Sequence, residues 1–142
     1  MMYITELPEG YVPSETEEYM SPMQLAYFKT KLLDWKHNLQ EEFAEVVRLL
    51  QEKNWNEPDM NDRASDEADV SLELRTQDRY RKLISKIDDA IARIEVGNYG
   101  YCQETNEPIG LKRLEARPIA TLSIAAQEKH ERFEKSHNED DY

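Results

Sequence analysis

Two stretches of this chain carry apolar side chains at alternating spacings of three and four residues, in mirror-image order. The first runs from Leu25 to Leu49 and the second from Val70 to Ile94. When the first residue of one stretch is paired with the last residue of the other, and so on inwards, the two residue numbers always add to 119. Antiparallel helices satisfy a constant sum because both rise by the same distance per residue. The pattern therefore predicts an intramolecular antiparallel coiled-coil hairpin.

The same pairing places the fold of the hairpin at Asp59–Met60. Pro58 lies beside this point, and proline breaks a helix because it lacks a backbone N–H. The pairing matches Leu39 with Tyr80, and it puts Glu42 opposite Gln77 in a polar layer that fixes the register. An alternative for that layer is that both side chains reach outward to solvent. The tip is predicted near residues 57–64.

Local signals mark both ends of the hairpin. Ser21 is a good N-cap, Pro22 suits the first helical position, and Gln24 completes a capping-box pattern. Gly97 is a plausible left-handed cap after the second helix. We therefore predict that the hairpin covers residues 21–96.

The rest of the chain lacks this apolar spacing. The predicted fold class is all-α. We expect an irregular acidic arm over residues 1–20, a small globular module over 97–136 and a disordered acidic tail over 137–142. Within the module, residues 98–108 are rich in turn formers and predict a tight knuckle. A last helix is predicted over residues 119–134.

Composition narrows the possible functions. The net charge of −12 disfavours general binding to nucleic acid, so we expect no direct sequence-specific DNA binding, and it favours a basic protein surface as partner. Neither a signal peptide nor a run of ~20 apolar residues is visible, and Cys102 is the single cysteine, so we expect a cytoplasmic protein without membrane attachment. No glycine-rich phosphate loop or nucleophile–histidine–acid set is recognisable, so we expect no enzyme activity.

Three segments of the sequence resemble the DksA family of RNA polymerase-binding regulators. They are YMSPMQLAYFKTKLLDW (Tyr19–Trp35), the stretch Asp62–Ile84, and the stretch Gly100–Leu122 with its specific IGLKRLEARP run (Ile109–Pro118). The resemblance implies that the coiled coil enters the secondary channel of RNA polymerase and modulates promoter open complexes. It also implies a stringent-response effector, guanosine tetraphosphate (ppGpp), bound at a site shared with the polymerase.

The resemblance assigns roles by matching position. The tip that acts on polymerase is Asp59, Asp62 and Ala64. Arg79 and Arg113 match residues that support polymerase binding. The alarmone-binding positions are Leu83, Lys86 and Arg117, whereas a further lysine of the family is replaced by Gln127. Without the resemblance, the two aspartates are ordinary turn residues and Lys86 is a solvated helix lysine.

The resemblance also implies four zinc-ligand positions, and these depart from the family. Family members hold zinc with four cysteine thiolates. The matching positions here are Cys102, Thr105, Ser123 and Ala126. Because neutral hydroxyls are poor zinc ligands and alanine is none, we predict a zinc-independent module that requires no metal or cofactor and folds by packing alone.

Two rival functions fit the same hairpin. One is a coiled-coil adaptor for another helical partner, and the other is an alarmone-independent inhibitor that binds the same channel. The tip aspartates distinguish the adaptor, which has no need of carboxylates at the apex. A monomer is expected because both seams are used within the chain.

Overall fold

The computed structural model describes residues 7–56 and 63–140 and contains four helices. They are α1 (Pro22–Asn56), α2 (Arg63–Val96), α3 (Leu111–Ala116) and α4 (Ile124–Asp140). The described ranges hold no β-strand, only an isolated antiparallel bridge between Tyr101 and Pro108. The prediction of an all-α fold is confirmed. Among the described helices, none combines the length and apolar character that crossing a lipid bilayer requires.

The chain divides into two compact units. Met1–Leu32 and Ala90–Tyr142 form one, called here the globular unit, and Leu33–Asp89 forms the other, called the hairpin unit. The helices α1 and α2 each contribute residues to both units. α3 and α4 belong to the globular unit.

The helix ends follow the signals in the sequence. The hydroxyl of Ser21 accepts a hydrogen bond from the Gln24 N–H at 3.3 Å, as an N-cap does. At the end of α2, Gly97 has a φ of 84° and its N–H donates to Ile94 O, while the N–H of Asn98 donates to Arg93 O. These two bonds form a Schellman motif, so the predicted left-handed cap is confirmed.

The hairpin unit is antiparallel, as predicted. The rings of Phe43 and Tyr80 lie 5.0 Å apart, and Lys36 pairs with Asp88 at 2.7 Å. A side chain in an antiparallel helix pair meets residues up to one turn apart on the partner helix, so the predicted pairing of Leu39 with Tyr80 stays a prediction.

The inward-facing residues of α1 differ from the predicted seam at position 42. Glu42 is exposed and Phe43 is half-buried, so Phe43 takes the inward position. Leu49, predicted to lie in the seam, is 52% exposed, whereas Leu50 is half-buried. The predicted layer of Glu42 with Gln77 is therefore absent, and Gln77 donates instead to Glu73 on its own helix at 3.5 Å.

The core of the globular unit forms around aromatic residues. Phe28 of α1 is fully buried and its ring lies 5.7 Å from that of Tyr99. The Tyr99 hydroxyl donates to Pro118 O at 2.7 Å, which satisfies a buried polar atom. Lys31 donates to both the carbonyl and the carboxylate of Glu115, at 2.9 and 2.5 Å. These bonds tie α1 to α3.

Two elements of the globular unit were not predicted correctly. The last helix begins at Ile124 rather than residue 119, because the Ser123 hydroxyl accepts the Ala126 N–H and caps it there. It continues to Asp140, so the expected disordered tail is wrong for residues 137–140. The short helix α3 was not predicted.

Candidate functional site

The predicted tip falls in the sequence between α1 and α2. Asp59 and Asp62 fall within residues 57–62, outside the described part of the chain. Ala64 belongs to the first turn of α2, where the backbone alone is described. The assignment of these three residues to polymerase regulation stays a prediction.

A row of basic residues follows one face of α2 in the hairpin unit. Its members, called here the basic stripe, are Arg75, Arg79, Lys82 and Lys86. All four side chains are exposed. Their spacing of four, three and four residues places them on one helix face. The stripe therefore presents four cations to solvent on a single surface.

Most of the stripe makes no ion pair within the described residues. Lys82 pairs with Asp78 one turn away at 3.0 Å, but Arg79 and Lys86 have no acidic partner within 4.0 Å among residues 7–56 and 63–140. In a chain of net charge −12, cations that have no acidic partner among the described residues are available to an external anion. Arg75 and Lys82 were not predicted as binding residues, although their helical spacing with Arg79 and Lys86 could have indicated them.

The other predicted binding residues divide between the units. Leu83 and Lys86 lie one turn apart on α2 in the hairpin unit, with Leu83 half-buried. Arg117 is the exposed C-cap residue of α3 in the globular unit, and its N–H donates to Arg113 O at 2.7 Å. Arg113 donates through Nε to Leu122 O at 2.9 Å. Arg113 thus braces the segment that follows α3.

Residues 97–110, called here the knuckle, form a tight hydrogen-bonded loop. The N–H of Cys102 donates to Glu107 O at 2.8 Å, and the N–H of Asn106 donates to Cys102 O at 2.9 Å. Asn106 has a φ of 62°, a left-handed conformation that asparagine tolerates better than most residues. The predicted knuckle is confirmed.

Three of the four zinc-ligand positions lie together beside the knuckle. Cys102 is 1% exposed, and it receives hydrogen bonds from the side chain of Thr105 and from the backbone of Ser123. Ser123 in turn caps α4 through its bond to Ala126, which is 5% exposed. The four matched positions therefore hold one thiol, and the Ser123 hydroxyl serves as a helix cap.

The surroundings of Cys102 favour the thiolate. Burial opposes ionisation of the thiol, but hydrogen bonds from the Thr105 side chain and from the backbone of Ser123, Thr105 and Glu104 lower its pKa to about 6. The knuckle thus surrounds the Cys102 sulfur with backbone N–H groups and the Thr105 hydroxyl.

Two family models match this chain. The model described as the DnaK suppressor protein DksA, N-terminal domain, matches residues 24–94. The model described as the prokaryotic dksA/traR C4-type zinc finger matches residues 97–132. The first match covers the hairpin helices, and the second covers the knuckle with α3 and part of α4.

Similar proteins carry related names. A protein of Caulobacter vibrioides (strain NA1000 / CB15N) named RNA polymerase-binding transcription factor DksA is 59% identical over 92% of this chain and 92% of its own. A protein of Escherichia coli (strain K12) with the same name is 44% identical over 82% of this chain and 77% of its own. The structure of transcription factor DksA2 from Pseudomonas aeruginosa matches with a TM-score of 0.76 at 41% identity, over 82% of this chain and 90% of that one.

The zinc-finger match contradicts the prediction of a zinc-independent module that needs no cofactor, and we correct that prediction. It was wrong because it counted cysteines, whereas the family match rests on the whole stretch of residues 97–132. The side chains present do not make up a four-thiolate set, since Thr105 and Ser123 bond to backbone N–H groups. Within the described residues, no group of three or more histidine, cysteine, aspartate or glutamate side chains has metal-binding geometry.

Proposed function

Because this chain belongs to the DksA family, we propose that it binds RNA polymerase and regulates transcription. The observation that carries the proposal is the 59% identity to a relative of that name over 92% of both chains. The role is one of binding, without catalysis by this chain. It fits a cytoplasmic protein that acts as a monomer and makes no sequence-specific contact with DNA.

The proposed mode of action is insertion of the hairpin into the secondary channel of the polymerase. The antiparallel contacts of α1 and α2, at Lys36–Asp88 and at Phe43–Tyr80, support the proposal of a helical hairpin. Asp59 and Asp62 then approach the catalytic centre and bias the stability of promoter open complexes. Two carboxylates near a catalytic metal act electrostatically, so their position matters more than their binding energy.

The basic stripe is the proposed docking face of the hairpin unit. Arg79 was assigned to polymerase binding, and Arg75 lies one turn before it on the same exposed face. Guanidinium groups without intramolecular partners form bidentate bonds with carboxylates on a partner surface. The stripe therefore orients an acidic chain on the polymerase by a local attraction.

We assign Leu83, Lys86 and Arg117 to the alarmone site. Lys86 and Arg117 are exposed cations, which the phosphates of ppGpp require. The family's further lysine is Gln127 here, and its side-chain amide donates to Glu131 at 3.2 Å. This replacement favours a second candidate, a channel-binding inhibitor whose action depends little on the alarmone.

Transcription from a ribosomal-RNA promoter tests the proposal, with and without ppGpp. Asp59→Asn combined with Asp62→Asn should abolish the effect on transcription while polymerase binding is retained. Asp34→Asn with Glu42→Gln removes the same charge from exposed positions on α1 and is the matched control, with full activity expected. Normal regulation by the tip variant would exclude channel insertion, and loss of polymerase binding by the wild type would favour an adaptor for another partner.

A further inference from the structure

The segment before α1 reaches the knuckle through the hydroxyl of Tyr19. This hydroxyl donates to Gly100 O at 2.6 Å and accepts from the Gly110 N–H at 2.9 Å. The N–H of Ile109 also donates to Gly100 O, at 2.8 Å. Gly100 and Gly110 are the two ends of the loop that contains Cys102. One hydroxyl therefore joins both ends of this loop.

Side-chain packing reinforces the same contact. The rings of Tyr19 and Tyr101 meet edge to face at 5.5 Å. A Cβ atom at Gly100 would lie 2.7 Å from the sulfur of Met20, and the φ of Gly100 is 90°. Glycine is thus required at position 100 both by its backbone and by the close approach of Met20. The segment before α1 therefore packs directly against the knuckle at Gly100 and Tyr101.

The segment is itself held in place before it reaches the knuckle. Gln24 is completely buried, and its amide accepts the Met20 N–H at 2.8 Å and donates to Ser14 O at 3.2 Å. The Glu17 carboxylate accepts hydrogen bonds from the Ser14 N–H at 2.9 Å and from the Tyr11 hydroxyl at 2.8 Å. Residues 11–20, called here the N-terminal strap, therefore form a braced element that carries Tyr19.

We propose that the N-terminal strap is a latch that keeps the knuckle closed over Cys102. While the Tyr19 hydroxyl bridges Gly100 and Gly110, the thiol is shielded from solvent, and release of the bridge lets the loop open. Loss of the hydroxyl leaves the Gly110 N–H without its partner, which favours local opening. Gly110 is also the N-cap residue of α3, so the latch holds the start of the helix that carries Arg113.

The reactivity of the thiol provides a direct test, since Cys102 is the single cysteine of the chain. Tyr19→Phe removes the bridging hydroxyl and keeps the ring. We expect Cys102 of this variant to react about ten-fold faster than wild type with an aromatic disulfide reagent under native conditions. Tyr101→Phe is the matched control, because the Tyr101 hydroxyl makes no hydrogen bond with the described residues, and its rate should equal that of wild type.

Amide hydrogen exchange followed by NMR separates local opening from general loss of stability. In Tyr19→Phe, exchange should accelerate at Cys102, Ile109 and Gly110 but not at residues 76–87 of α2. Equal acceleration at both places would mean global loosening and would overturn the proposal. Unchanged exchange in the knuckle would also overturn it, since the loop would then be closed without the strap.

Discussion

Among single residues, Glu17 shows the clearest electrostatic coupling in the N-terminal strap. Hydrogen bonds from the Ser14 N–H and the Tyr11 hydroxyl stabilise its carboxylate and lower its pKa. Burial and the same bond to Glu17 raise the pKa of Tyr11 to about 12. Both shifts report one arrangement, a neutral phenol that donates to an ionised carboxylate. The strap is thus closed by a bond that requires Glu17 to be charged.

The first prediction concerns acid sensitivity of the strap. The pKa of Glu17 is lower in the folded chain than the ~4.3 of an unfolded glutamate, so its contribution is complete above that value and is lost as the pH falls through the folded pKa. Glu17→Gln should therefore lower the melting temperature at pH 7 and make little difference near pH 3. Thermal melts across this range check it, with Glu15→Gln, an exposed neighbour, as control. An equal deficit at both pH values would contradict the charged bond.

For the helices, the sequence predicted where a helix begins or ends better than it predicted which side chains face the neighbouring helix. Ser21 and Gly97 mark helix ends through local chemistry, and both act as expected. The predicted seam of α1 was wrong at Glu42 and Leu49, because spacing alone does not fix which of two neighbouring side chains faces inward. Phe43 and Glu42 are adjacent, and tertiary packing alone decides which of them turns inward.

Part of the candidate site could also be predicted from the sequence. The exposed cations Arg79 and Lys86 were found by resemblance, and simple helical spacing extends them to Arg75. The hydroxyl of Tyr19 was not predictable, because its partners are the distant backbone groups of Gly100 and Gly110. Ser123 was interpreted as a lost metal ligand, which concealed its role as the N-cap of α4.

The second prediction tests which side chains of α1 face inward in the hairpin unit. Phe43→Ala removes a half-buried ring that contacts Tyr80 and should lower the free energy of unfolding by about 2 kcal/mol, less than the ~3–5 kcal/mol of a fully buried phenylalanine. Leu49→Ala is the comparison, and at 52% exposure it should cost under about 1 kcal/mol. Urea unfolding measures both. A greater loss for Leu49→Ala would support the seam predicted from sequence and contradict the observed exposure of Leu49.

For the whole molecule, where the charges lie on the surface matters more for docking to a partner than the net charge does. The chain carries 30 acidic and 18 basic residues, so at long range an acidic surface repels it and a basic surface attracts it. Four of the basic residues nevertheless lie together in the basic stripe. Contacts of this kind act over about a Debye length, ~8 Å at physiological salt. The charge pattern therefore supports docking at one orientation rather than general adhesion to polymerase.

The third prediction concerns the alarmone and depends on the proposed polymerase complex. Gln127→Lys restores the positive charge that the family places there, and one added cation near a polyphosphate should lower the ppGpp concentration for half-maximal inhibition by about two- to five-fold. Titration of ppGpp in a promoter transcription assay measures this shift. Gln103→Lys adds the same charge at an exposed position of the knuckle and should leave the titration unchanged. An equal gain from both variants would mean that net charge is responsible, and no gain from either would favour the alarmone-independent inhibitor.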